Sequence, residues 1–442
     1  MNKNKFGIVL PIILLSYFMI LLDNSVIFTS TVKIANELNL NAQTLSWVTN
    51  AYALTFGGFL LLAGKAGDVY GRKKIFLVGL TIFSVASLMV GLSVSGIMII
   101  TMRAIQGLGA SILAPTTLAL LMDNYHGAMR TKAIEYYGAT GGLGASLGLV
   151  IGGLIASNFS WRYGFLLNVP IGLLMLFLTI KYVHSEHARL GSLDWAGSIM
   201  SVLGLSSLVY SISGNVHQLF FFISAIILII AFIIKESVSE NPIMPLKIFK
   251  DNERSSAYIA RFFFLGAMIA YFFLTPQAMQ EVYGYTPLLA AIAFLPETIP
   301  QFLSATLLTK LNSRYTNHQL LIFGVTTTFI GLLISTLIGI DHGYWWSIGL
   351  PMIVIGIGQG FALSPLTVSG VSNTTPDIAG SASGVVNTMH QIGSSFGLSI
   401  VVALTSQYHL PNVSFNHSLI VITSLMLIAL VASLNIVIHK KI

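Results

Sequence analysis

Residues 6–29 read FGIVLPIILLSYFMILLDNSVIFT, an apolar run with one carboxylate, Asp23, near its far end. About 20 apolar residues in an α-helix cross a bilayer core, so the run reads as a membrane span. A charged, unpaired carboxylate at that depth costs several kcal/mol, and such a residue as a rule faces a partner or a cavity. The basic head that precedes the run gives it the outline of a secretory signal. It is too long for a signal core, holds Asp23 and lacks an obvious small-residue cleavage site. It therefore reads as a retained first span.

The rest of the chain repeats this pattern. Of 442 residues, 55% are hydrophobic and only 8% are charged, against about 25% charged in a soluble domain. That much apolar surface cannot hide in one soluble core, so lipid is the solvent for most of the length. The net charge of +7 sits in short loops, which is a topology signal and not a nucleic-acid footprint. The chain has no cysteine, which excludes disulfides, thiolate metal sites and a cysteine nucleophile.

Hydropathy over windows of about 19 residues marks fourteen spans: 6–29, 44–63, 75–94, 96–121, 132–156, 163–182, 194–213, 219–235, 255–279, 287–309, 318–339, 345–369, 380–406 and 416–438. Strand-type alternation is absent, which argues against a β-barrel. An even count puts both termini on one side. Of the 22 Lys and Arg, Arg103 and Arg261 fall within spans and Lys33 and Arg162 fall outside the cell. The other eighteen, Lys3, Lys5, Arg189, Lys440 and Lys441 among them, fall on the side of the termini. That bias predicts cytoplasmic termini. Longer connections near 183–193 and 236–254 flank spans seven and eight, and Glu236, Glu240, Asn241, Pro242 and Pro245 are expected to break any helix in the second. The expected fold is an all-α membrane protein of two six-helix bundles, 1–190 and 251–442, with two inserted helices and a cytoplasmic linker at 191–250. Residues 308–314 echo the loop at 64–74, and such parallel repeats suit a rocking transporter.

Residues 64–74 read GKAGDVYGRKK and join spans two and three. Gly64 and Gly71 permit a tight reversal, while Asp68, near a helix N-terminus, can pair with Arg72 or a neighbouring helix as a cytoplasmic gate. Arg103 lies roughly 10 Å into span four at 1.5 Å per residue. Asp23 lies at similar depth, so each lowers the cost of burying the other. In span five Gly144, Gly148 and Gly152 recur every four residues, with Gly153 beside them, a small-residue face for close helix packing. A nucleotide loop would need a preceding strand, and there is none.

Glu297 lies near the midplane between Pro296 and Pro300, which remove backbone donors and loosen the helix. Glu135, one turn into span five, suits either the helix dipole or a cytoplasmic cavity. Trp47, Asn50, Tyr52, Tyr136 and Tyr271 are candidates for a substrate cavity, where aromatic faces attract organic cations. Most such aromatics serve packing or the lipid belt. His390, inside span thirteen, is a further cavity candidate, although a lone intramembrane histidine is more often hydrogen-bonded packing. Arg261 reads as a snorkelling or gating charge. His184 and His187 read as a solvated loop, not a metal site, and no metal site is expected.

Residues 64–74 resemble the signature loop of the major facilitator superfamily, and residues 102–110 its fourth-helix motif. The glycine stretch is similar to the antiporter motif of drug exporters, with Leu149 standing where a proline normally follows one glycine. Residues 161–172, Leu22-Asp23, residues 193–197 and residues 380–384 resemble the fourteen-span drug:proton antiporters, the QacA-like multidrug exporters. The resemblance runs over essentially the whole chain. It implies efflux of amphipathic cationic or zwitterionic drugs and dyes in exchange for inward protons, by a monomer in the bacterial cytoplasmic membrane.

The residues themselves bear on mechanism. No GxxxxGK[ST] pattern occurs, so the chain carries no ATP engine of its own. No cofactor is expected; the energy source is an ion gradient. A carboxyl in an apolar cavity favours its neutral form and can carry a proton. Asp23 ranks first for that role, Glu297 second and Glu135 third, with Arg103 tuning Asp23. Two other readings stay open: a transporter that exports one endogenous metabolite or lipid, or an importer, and an intramembrane enzyme, for which no catalytic constellation is found. The partners expected are small drugs, protons and lipid, without nucleic acid.

Overall fold

The computed structural model describes residues 6–184, 193–214, 216–239 and 242–438. Lys3, Lys5, His187, Arg189, Glu240, Asn241, Lys440 and Lys441 lie outside the described residues. The described chain is helical nearly throughout. Its first half holds α1 (Val9–Leu38), α2 (Ala42–Tyr70), α3 (Arg72–Gly91), α4 (Gly96–Asn124), α5 (Gly127–Asn158), α6 (Arg162–Leu166) and α7 (Asn168–Tyr182). Two helices follow, α8 (Trp195–Ser213) and α9 (Gln218–Val238). The second half holds α10 (Asn252–Tyr283), α11 (Pro287–Ile292), α12 (Leu295–Leu311), α13 (Asn317–Ile338), α14 (Leu350–Gly370), α15 (Pro376–Thr405) and α16 (Pro411–Ile438).

Among the described residues, twelve helical stretches are long and apolar enough to cross a membrane, with α6–α7 and α11–α12 each forming one stretch. Two further helices, α5 of 32 residues and α15 of 30 residues, coincide with spans five and thirteen of the hydropathy reading but are not among the twelve. In α15, Thr388, His390, Gln391, Ser394 and Ser395 lower the hydropathy of its middle.

Helix starts follow their capping residues. Asn41 accepts the Thr44 N–H at 2.8 Å, Asp251 accepts the Arg254 N–H at 2.9 Å, and Thr316 with Gln319 forms a capping box. Each satisfies backbone donors that the first turn leaves free. Two expectations are corrected. Residues 64–70 are not a loop: they continue α2, and the reversal is confined to Gly71, whose φ of 91° suits glycine. Asp68 therefore ends α2 and does not open a helix. Glu236 likewise does not break a helix. It lies inside α9, is buried, and accepts the Met244 N–H at 2.8 Å.

The helices before α8 pack chiefly among themselves, as do those after α9. The α8–α9 hairpin is tied by an ion pair between Lys235 and Asp194, the residue that caps α8, and α8 lies against both α2 and α15. The two halves meet along α2 and α15, and where α5 and α1 touch α11 and α10. The second contact is close only at one end. Leu288 N donates to Ser157 Oγ at 2.8 Å, and the rings of Phe28 and Phe272 stand 6.3 Å apart. Toward the other end, Glu135, Tyr136 and Ala139 of α5 and Ala305, Thr306 and Leu307 of α12 are all exposed, so the halves diverge there.

Candidate functional site

Asp23 sits on α1 with no exposed surface, and donors from α4 and α7 reach it within a network that also draws on α2 and α3. Arg103 of α4, equally buried, forms an ion pair with its Oδ2. Gln106 Nε2 donates to Oδ1 at 2.7 Å and Asn168 Nδ2 donates to the same oxygen at 3.0 Å. The two amides also donate to Ser87 Oγ of α3, at 3.1 and 3.0 Å. Arg103 in turn donates through Nε to the Val48 carbonyl at 3.1 Å and through NH1 to Gln106 Oε1 at 2.8 Å. Its guanidinium lies 4.2 Å from the centre of the Tyr52 ring. Arg103 does not snorkel: it turns inward and stacks, as a planar guanidinium can. Both carboxylate oxygens of Asp23 are thus engaged by protein donors. Gln106 and Asn168 were not singled out from the sequence; the one available signal was Gln106 standing three residues after Arg103, on the same helix face.

Glu297 is the opposite case. It is fully buried in the first turn of α12, just past the break at Ala293 and Phe294. Neither carboxyl oxygen has a hydrogen-bond partner among the described residues. The Tyr271 hydroxyl and the Thr275 hydroxyl of α10 are also buried without partners, and the Tyr271 ring packs against Phe294 at 6.2 Å. Gly356 of α14 lets that helix come close: a methyl group there would stand 2.1 Å from the Glu297 carbonyl oxygen. Beside this turn lies an apolar cleft of about 530 Å³, lined by Pro296, Pro300, Ile299 and Trp345 among others.

At the α2–α3 reversal Arg72 bonds Asp68 at 2.9 Å and also pairs with Asp123 at the end of α4. Asp123 was missed from the sequence, because the partner lies 51 residues away on another helix. Gly64 is within α2, facing Pro115. The glycine face of α5 packs on α1. A methyl at Gly144 would meet Leu21 at 2.8 Å, one at Gly148 would meet Ser25 Cβ at 2.7 Å, and one at Gly152 would meet Val26 Cα at 2.8 Å. Gly153 faces the other half of the molecule, where a methyl would meet Ala291 at 2.7 Å.

The remaining candidates do not gather at one place. Asn50 joins the halves, donating to Ser399 Oγ of α15 at 2.7 Å. Trp47 leans on Tyr210 of α8 at 5.8 Å. Glu135 and Tyr136 are exposed on the diverging end of α5, and the Tyr136 ring stands edge-on to Phe6 at 5.7 Å. His390 receives a hydrogen bond from Arg261 at 3.1 Å. His184 is exposed, and among the described residues no group of His, Asp and Glu is arranged to hold a metal.

A lipid-spanning helical shell around buried charges, built as two halves that part at one end, defines a polytopic membrane transporter. Residues 13–398 match the Major Facilitator Superfamily, and the chain belongs to that family. It is a multi-pass protein of the cell membrane. It is 31% identical over 393 residues to the uncharacterized MFS-type transporter EfpA of Mycobacterium tuberculosis, covering 87% of this chain and 74% of that protein. It is 29% identical to the multidrug resistance protein 3 of Bacillus subtilis, covering 88% of this chain and 77% of that one. It is also 29% identical to the cephamycin export protein CmcT of Amycolatopsis lactamdurans, covering 88% and 83%. Among solved structures, a bacterial homologue of the human lysosomal transporter Spinster, inward-facing and unoccupied, superposes with a TM-score of 0.72 at 13% identity, covering 100% of this chain and 98% of that one. A peptide transporter bound to alafosfalin gives 0.73 at 13% identity, covering 100% and 96%. At such identity the likeness concerns the fold.

Proposed function

We propose that the protein is a proton-coupled multidrug efflux antiporter. It has fourteen spans and cytoplasmic termini, and acts as a monomer with no bound cofactor. It exports amphipathic cationic or zwitterionic drugs and dyes in exchange for inward protons. The names of the relatives support export. The observation that carries proton coupling is Glu297, a fully buried carboxyl with both oxygens unpartnered. An ionised carboxylate in such a place costs several kcal/mol, and a bound proton removes that cost. A group that must be neutral when closed off and charged when open is what a proton carrier requires. Asp23 already accepts three protein donors and its charge is offset by Arg103, so protonating it forfeits an ion pair that Glu297 does not have. This favours Glu297 as carrier, with the Asp23 network coupling α1, α4 and α7 to the swing of the first half. The exposed faces of α5 and α12 lie, with cytoplasmic termini, on the cytoplasmic side, which supports an inward-open state.

Proton-driven dye uptake into everted vesicles tests the reading. Glu297→Gln is expected to abolish uptake at normal membrane expression and Asp23→Asn to reduce it at least tenfold. Full uptake in both variants refutes the carboxylate mechanism.

A further inference from the structure

Arg261 is a second intramembrane cation, and no acid answers it. It lies on α10, is 7% exposed, and among the described residues forms no salt bridge. Its NH1 donates to the Leu363 carbonyl at 2.9 Å and to Thr367 Oγ1 at 3.0 Å, both on α14. Its NH2 reaches His390 Nδ1 of α15 at 3.1 Å. Its Nε is buried with no partner. The guanidinium therefore does not snorkel to a headgroup: it is drawn into the second half and held among neutral groups. A buried charge without a counter-charge is costly, whereas Arg103 has Asp23 to offset it.

The place is also suited to a ligand. Phe272, which meets Phe28 of the first half, lies eleven residues beyond Arg261, close to three full turns of helix. Arg261 thus springs from the α10 face that looks toward the other half, about 16 Å nearer the diverging end at 1.5 Å per residue. His390 is only half-buried. A guanidinium can only donate, so His390 Nδ1 must accept and its hydrogen sits on Nε2, which has no described partner. One uncompensated positive charge and two unspent donors, Arg261 Nε–H and His390 Nε2–H, are gathered in one cluster at the interface of the halves.

We propose that Arg261 and His390 form a binding site for a carboxylate group on the exported compound, so that zwitterionic amphiphiles are held by their acid here. The proposal rests on the efflux reading and specifies its substrate class. Guanidinium is the side chain best matched to a carboxylate.

The test uses rhodamine B, which carries a free carboxylate beside its cationic ring system, and its ethyl ester, which keeps only the cation. Arg261→Ala is expected to cut efflux of rhodamine B from intact cells about tenfold or more, while the ester leaves at a rate within about twofold of wild type, as truncating one partner of a buried charge pair predicts. Arg261→Lys should restore part of the loss. If Arg261→Ala does not reach the membrane, Arg261→Gln deletes the charge while keeping a donor toward Leu363 and Thr367. Equal loss for dye and ester, or no loss for either, overturns the site. Binding to the purified protein, followed by fluorescence polarisation, separates the two claims. If neither dye leaves cells, the efflux reading fails. The site still stands if wild type binds rhodamine B more tightly than the ester and Arg261→Ala erases the difference. Equal binding of the two, or no binding of rhodamine B, overturns it.

Discussion

Asp23 and Glu297 are both fully buried carboxyls and differ in their company. Removing the charge of Asp23 leaves Arg103 buried without its acid, a loss of about 3–5 kcal/mol for one half of such a pair. Glu297 has no partner to strand. Asp23→Asn is therefore expected to lower the thermal unfolding temperature of the purified protein clearly, and Glu297→Gln to leave it nearly unchanged while uptake is lost. A similar drop in both would show that Glu297 is held by contacts the structure does not contain. Much of the first network was legible in the sequence: helix rise alone put Asp23 and Arg103 at one depth. Gln106 and Asn168 were not, because a neutral amide in an apolar run announces nothing until its partners are known. For Glu297 depth and flanking prolines are legible along the chain, but its lack of partners is a property of packing that no local pattern encodes.

At the scale of the helix, the glycines of α5 decide how near it comes to α1. Replacing a mid-helix glycine by alanine gains up to about 1 kcal/mol of helix propensity, while forcing a methyl into filled space costs about 1–3 kcal/mol. The two effects separate along one helix. At Gly138 nothing lies within 4 Å of the added methyl, and at Gly148 it would meet Ser25 Cβ at 2.7 Å and Leu22 Cα at 3.2 Å. Gly138→Ala is expected to keep or raise the unfolding temperature in detergent, and Gly148→Ala to lower it. The reverse order would mean that α5 does not lie on α1 as described. The spacing of Gly144, Gly148 and Gly152 announced this face, because a repeat of four residues survives in any helix. Gly153 was legible only as part of the run: its role, touching Pro287 and Ala291 across the interface of the halves, depends on tertiary placement. The α2–α3 reversal differs from the expectation for a related reason. Gly64 suits a turn, yet helix packing carries α2 through it, and only Gly71 with its positive φ makes the turn.

For the molecule as a whole, one proton carrier fixes the charge moved per cycle. If Glu297 brings one proton inward while a monovalent cation goes out, no net charge crosses. Such an exchange responds to a pH difference and not to voltage. A zwitterion bears no net charge, so exporting it against one proton moves a full charge inward. An imposed 100 mV then contributes about 2.3 kcal/mol, roughly fiftyfold in accumulation. In everted vesicles with the potential and the pH difference set independently by ionophores, uptake of the ethyl ester of rhodamine B is expected to follow the pH difference alone. Uptake of rhodamine B itself should respond to both. Voltage dependence of the ester as well, one charge weaker than that of rhodamine B, would mean that more than one proton moves per cycle, with Asp23 or Glu135 the next carboxyls to carry it. The voltage measurement thus counts carriers for the intact protein, which no single buried side chain can reveal alone.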